Sequence, residues 1–227
     1  MKNILQQFRR TQETIAHQGI CPEGIIGRKE GCLSISYRHC PEVTTPLAKF
    51  SAAVSEIVPA LTYTQNQLQT TITPLELVSH FIFSTTNPVQ AKAVEWLGQI
   101  VEEALDSVEM SDISKCNIFF GRPIANRGTV IVPGRPNQEL WKISTAILKV
   151  FKQHLGYEPI GFWGTHMVLN RFTNSVAGDQ LDSLIQLLAN GPIVCNSHPQ
   201  AIEVLSNQIN DDGSWTCQTH KRFPLLK

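Results

Sequence analysis

No charge of either sign predominates in this chain. Among 227 residues, 19 Lys and Arg balance 19 Asp and Glu, so no global field draws it to a DNA duplex or an anionic membrane. Aromatic residues are scarce at 7%, and Phe119 and Phe120 are too few to mark a single-strand stacking platform. The six cysteines show no C-x-x-C spacing and no Cys-His set of the zinc-ligand kind. The stretch from Met1 to Arg10 has no apolar core of a signal peptide. The longest charge-poor run, Leu77 to Ala91, is interrupted by His80, Thr85, Thr86, Asn87 and Pro88, which excludes a membrane span there. A cytoplasmic protein with reduced thiols follows as the expectation. Phosphate-cradling Gly-rich loops, the nucleophile elbow and the His-Glu-x-x-His zinc motif are also missing, so triphosphate hydrolysis, dinucleotide binding and zinc hydrolysis lose their usual signatures.

What is present is a foldable core. Hydrophobic residues make up 42% and charged residues 17%, the balance of a globular chain rather than a disordered one. Cys32 to Tyr37 alternates with period 2, as a half-buried strand does. Thr45 and Pro46 read as N-cap and first helical residue, opening a helix that carries Leu47, Phe50, Val54, Ile57, Val58 and Leu61. A strand over Leu68 to Thr73 is stopped by Pro74. A second helix follows Asn87-Pro88. Two strands, Asn117–Phe120 and Thr129–Val132, flank an Arg- and Gly-bearing turn. Asn137 caps a long helix closed by Gly156, and a strand-like run spans Phe162 to Phe172. One more helix covers Asp179 to Leu188. Two final strands join across Asp211-Asp212-Gly213, a hairpin turn signal.

Strand, helix, strand therefore occurs twice, as 32–37, 46–61, 68–73 and as 129–132, 137–155, 165–172. Neither unit can bury its sheet face alone, so the two are expected to pair around one cleft. Gln69-Thr70-Thr71-Ile72 and His166-Met167-Val168-Leu169 occupy equivalent places. Residues 1–30, dominated by Gln, Arg and Thr and then by Gly and Pro, form an N-terminal extension to a single domain over 31–227.

The run His166-x-Val168-Leu169-x-Arg171-Phe172 resembles the second signature of the 2H phosphoesterase superfamily, a His-x-Thr/Ser motif followed by apolar residues. This group includes RNA 2′,3′-cyclic phosphodiesterases and the so-called 2′–5′ RNA ligases. The long preceding helix and the ending on Arg222-Phe223-Pro224-Leu225 are similar to it as well, and the likeness covers the chain from Cys32 onward. The resemblance implies a bilobal α+β fold with antiparallel sheets around a central cleft. It also implies two facing histidines that activate the attacking oxygen and protonate the leaving one, with Ser/Thr hydroxyls on the phosphate and no metal or other cofactor. Carried over, His166 and Gln69 take the catalytic places, and Thr71 and Arg171 the phosphate-binding ones. Both motifs depart from the pattern. Gln69 stands where a histidine is expected, and Val168 where a hydroxyl is.

Two functions follow from those departures. One is a cyclic phosphodiester hydrolase acting on a nucleotide or RNA end, with weakened or lost activity and His166 as its single acid/base. The other is a non-catalytic module on the same fold that binds a nucleotide, an RNA end or a protein. A local bias bears on both. Between Lys115 and Gln138 no residue is acidic, while Lys115, Arg122, Arg127 and Arg135 are basic. That bias is either an ordinary loop after a solvated helix face or a basic rim beside an anion site. His39, His80, His198 and His220 show no partner spacing, and His220, beside Lys221 and Arg222, reads as a surface residue.

Overall fold

A computed structural model describes residues 13–15, 17–21, 32–74, 88–156, 165–193, 196–209 and 215–225. The Pro- and Gly-bearing loop at 22–27, His80, Phe162 and the turn Asp211-Asp212-Gly213 lie outside them.

The period-2 segment becomes β1 (Cys32–Arg38). Its Leu33, Ile35 and Tyr37 are buried in the hydrophobic core, leaving Ser34, Ser36 and Arg38 for the opposite face. Helix α1 (Pro41–Ile57) follows, then β2 (Ala60–Thr62), a short 3-10 turn and β3 (Gln69–Pro74). Helices α2 (Pro88–Asp106) and α3 (Met110–Ile113) lead into β4 (Ile118–Phe120), β5 (Ile124–Asn126) and β6 (Thr129–Pro136). Helix α4 (Gln138–Leu155) and β7 (His166–Phe172) complete the second unit. They are followed by α5 (Gly178–Ala189), β8 (Ala201–Ile209) and β9 (Trp215–Pro224).

The sheet runs β4-β6-β7-β3-β1-β8-β9, with β2 paired to β7 and β5 to β6, and every pairing is antiparallel. The two repeats thus meet at the centre, β3 against β7, with β1 and β6 as their outer neighbours. This is the bilobal α+β arrangement, two pseudo-symmetric units sharing one sheet. The symmetry reaches the backbone irregularities. Ser36 pairs with Thr71 and Ile35 with Thr73, so Ile72 is the extra residue of β3. Ile131 pairs with Val168 and Val130 with Asn170, so Leu169 is the extra residue of β7. Each strand bulges one residue past its motif, a device that re-aims the side chains beyond it.

Leu47, Phe50 and Val54 of α1, Leu97 and Ile100 of α2, and Leu140, Ile143 and Ile147 of α4 join the inward residues of β1 in one core. Polar bonds fix how the helices sit. Ser51 Oγ of α1 donates to the Leu169 carbonyl at 2.6 Å, and Tyr37 Oη meets Ser144 Oγ of α4 at 2.9 Å. Ile15 and Ile20, from the expected N-terminal extension, are buried in this same core, and Ile20 bridges to Val176.

Helix α1 starts at Pro41, not at Pro46. Pro41 supplies the same fixed φ at the first helical position, and Pro46 lies inside the helix, where its missing N–H forfeits one turn-to-turn bond. Asn137 caps α4 as expected, its Oδ1 accepting from the Leu140 N–H at 3.0 Å, and Gly156 closes it at φ 74°. The Arg- and Gly-bearing segment holds a strand of its own, β5, that pairs with β6 around Arg127-Gly128. Its turn puts Arg127 at φ 52°.

Among the described residues, no helix is long and apolar enough to cross a membrane, and Cys21, Cys40, Cys116 and Cys217 are free thiols.

Gly134 of β6 tests the packing of the sheet edge. A Cβ there would lie 2.8 Å from Ile118 Cγ2 and 3.0 Å from Phe120 Cε1, both buried. Gly134→Ala is expected to cost about 1–3 kcal/mol of stability, read as a lower midpoint in urea unfolding.

Candidate functional site

The pairing of Thr70 with Met167 sets the site. Both are buried toward the core, so their neighbours point to the other face. Antiparallel register puts Thr71 directly across from His166, and Gln69 across from Val168. All four share one face at the centre of the sheet, and all four are half-buried. Gln69 and Val168 therefore oppose each other, as do Thr71 and His166.

Arg171 shares this face because of the Leu169 bulge. It pairs with Thr129, two positions along β6 from Ile131, the partner of Val168. It stands five residues from His166, roughly 15 Å along the strand at about 3.3 Å per residue. Its Nε donates to Tyr63 Oη at 2.7 Å. Gln69 is also held. Its Nε2 donates to Asn207 Oδ1 at 3.4 Å, its Oε1 accepts from the Cys217 thiol at 3.7 Å, and Asn207 Nδ2 donates to Ser34 Oγ at 3.3 Å.

Next to these residues lies a charged cluster that the sequence did not announce. Glu203 of β8 is buried and pairs across β1 with Ser36, the partner of Thr71. Its Oε2 lies 2.7 Å from Arg38 Nη2 and accepts from Thr219 Oγ1 at 3.1 Å, while Arg222 Nε is 3.7 Å from Oε1. A buried carboxylate is tolerated only when paired in this way. The one charged residue in Ala201–Leu205, matched against the Ser-x-Ser-x-Arg alternation of β1, was the available signal.

The other histidines sit elsewhere. His39 is buried beneath the site, with Nε2 at 2.8 Å from Thr70 Oγ1 and Nδ1 at 2.6 Å from Ser197 Oγ. Burial first, and the nearby Arg38 charge second, push its pKa down to about 3. His198 Nδ1 lies 3.0 Å from the Cys116 carbonyl. His220, expected at the surface, is instead part-buried, with Nε2 2.8 Å from Ser206 Oγ, and burial lowers its pKa. Of the basic run, Arg122, Arg127 and Arg135 are all exposed. The Arg122 guanidinium donates to the Ala189 carbonyl at the end of α5, and Arg127 occupies the β5–β6 turn. Only Arg135 lies on a strand of the sheet face just described. No group of three His, Cys, Asp or Glu among the described residues is placed to hold a metal ion.

The fold is similar to that of solved structures. TT0787 of Thermus thermophilus superposes with a TM-score of 0.55 at 12% identity, over 86% of this chain and 97% of that one. The chain has the 2H phosphoesterase fold. Escherichia coli LigT gives a TM-score of 0.50 at 11% identity in its apo form, over 88% of this chain and 99% of LigT. LigT complexed with 3′-AMP gives 0.51 at 10% identity, over 87% and 99%. No protein-family model and no curated protein sequence matches the chain. The likeness is thus one of fold, at 10–12% sequence identity.

The buried His39 makes a pH prediction. Its folded pKa lies below the unfolded value of about 6.5, so the unfolded state binds more protons between pH 6.5 and 3. Stability is complete above pH 6.5 and falls through that window, at up to about 1.4 kcal/mol per pH unit. Urea unfolding at pH 7 and pH 4.5 should show the loss, and His39→Gln should make the pH dependence shallower while lowering stability at pH 7.

Proposed function

We propose that the cleft takes a phosphorylated or cyclic-phosphate nucleotide end, on RNA or on a free nucleotide, and that hydrolysis there is weak or absent. The observation that supports this most is the register that sets His166 across from Thr71. A hydroxyl and an imidazole side by side can hold a phosphate oxygen and exchange one proton with it. The opposite pair cannot repeat the arrangement. Gln69 donates and accepts hydrogen bonds but does not titrate, and Val168 offers no polar atom.

Opening a 2′,3′-cyclic phosphate needs two proton transfers. Water attacks phosphorus and gives up a proton to a base. The bond from phosphorus to one ribose oxygen breaks, and that oxygen takes a proton from an acid. His166 covers one of these steps and Gln69 neither. A positioned acid or base contributes typically about 10²–10⁴ in rate, which is the deficit expected here. Arg171 adds positive charge on the same face, roughly 15 Å from His166.

A non-catalytic module is the second reading, and the bonds that tie Gln69 to Asn207 and Cys217 favour it. That glutamine is built into the wall of the cleft.

The decisive assay is turnover of a 2′,3′-cyclic mononucleotide by the purified chain. Wild type should be slow or inert, and Gln69→His combined with Val168→Thr should raise the rate by about 10²–10⁴, with the gain abolished by His166→Ala. Fast wild-type turnover, or no gain in the double variant while 3′-nucleotides fail to bind, overturns the proposal.

A further inference from the structure

On the same sheet face, the register leads from the proposed phosphate position to an aromatic residue and an arginine. Pro133 of β6 pairs with His166. Two residues on, Arg135 returns to the same face and pairs with Phe119 of β4. The neighbours of this pair turn the other way. Ile118 and Phe120 are fully buried and pack at Gly134, whose absent side chain leaves them room. Phe119 is 53% exposed, among the most exposed large hydrophobic residues described. Arg135 is exposed too and has no ion-pair partner among the described residues.

An apolar ring held in solvent on a strand whose other side chains are buried carries a cost. It sits beside a guanidinium of the kind that recognises phosphate. By strand spacings, the Cα of Arg135 is roughly 8 Å from that of His166, and Phe119 roughly 12 Å. That is the reach of one nucleotide from a phosphate held at His166.

We infer that Phe119 and Arg135 form a subsite for the nucleotide adjoining the bound end, the ring stacking its base and the guanidinium meeting its phosphate. The ligand class is then a single-stranded RNA end of at least two nucleotides rather than a mononucleotide. Stacking on an aromatic face is tolerant of base identity, so the subsite selects for a strand and not for a sequence. The inference rests on the phosphate reading of His166 and Thr71 above. Scarcity of aromatics argues against a long stacking platform, but one ring at the right register position serves one base.

Calorimetric titration with three probes tests it: adenosine 3′-monophosphate, a 3′-phosphorylated adenine dinucleotide, and the same dinucleotide lacking the base next to its terminal nucleotide. Wild type should bind the full dinucleotide more tightly than the other two. Phe119→Ala should weaken the full dinucleotide roughly 5- to 100-fold and leave the abasic probe and the mononucleotide unchanged. Arg135→Ala should weaken both dinucleotides and lower the slope of log affinity against log salt by about 0.7. If Phe119→Ala leaves the full dinucleotide unaffected, or weakens all three probes alike, the subsite is refuted while the phosphate reading stands. If wild type binds none of the three probes, both are refuted.

Discussion

The ladder contact between Thr70 and Met167, with the pairing of β2 against β7 beside it, joins the two halves of this molecule. Each half by itself would expose one flank of its sheet and leave part of the shared core uncovered. Pairing β3 with β7 removes both flanks at once and makes a single core from Leu47 on α1 to Ile147 on α4. The same contact decides which side chains meet on the other face. Register in a sheet admits no small adjustment, because a slip of β3 by one residue against β7 would send Thr71 into the core and bring Thr70 out. His39 works against such a slip. Its ring bridges Thr70 to Ser197 from beneath, and it holds that place as an uncharged imidazole.

Much of this organisation was legible in the sequence, for reasons that can be named. The alternation from Cys32 to Tyr37 reports a sheet with one apolar face, although Ser34 and Ser36 on its other face are buried too. Asn137 and Gly156 mark the ends of α4 by cap chemistry that acts over a few residues. The repeat was visible because each unit has the same order of elements. What escaped was short or ambiguous. Strands β2 and β5 are three residues each, below the length at which period 2 can be told from chance. The start of α1 was misplaced because Pro41 and Pro46 both suit a first turn, and only packing decides between them.

The site divides in the same way. His166 and Thr71 could be named because a motif is a local pattern along one strand. How Glu203, Arg38, Arg135 and Phe119 stand to those residues could not be read, because that relation runs across strands. Cross-strand neighbours are fixed by registers that no single segment encodes. Glu203 reaches the neighbourhood of Thr71 through two successive pairings, first with Ser36 and then from Ser36 to Thr71. The opposition of Gln69 and Val168 has the same origin, since two residues far apart in the chain meet only in the folded sheet.

The matching bulges at Ile72 and Leu169 carry a consequence for how such a protein can change. They are features of the main chain, set by how many residues each strand places between its ladder contacts and not by the side chains of Gln69, Thr71, His166 and Val168. A substitution at any of those four positions alters what the face presents, while the path of the strand past it stays the same. The chemistry of this face is therefore open to change by side-chain replacement alone.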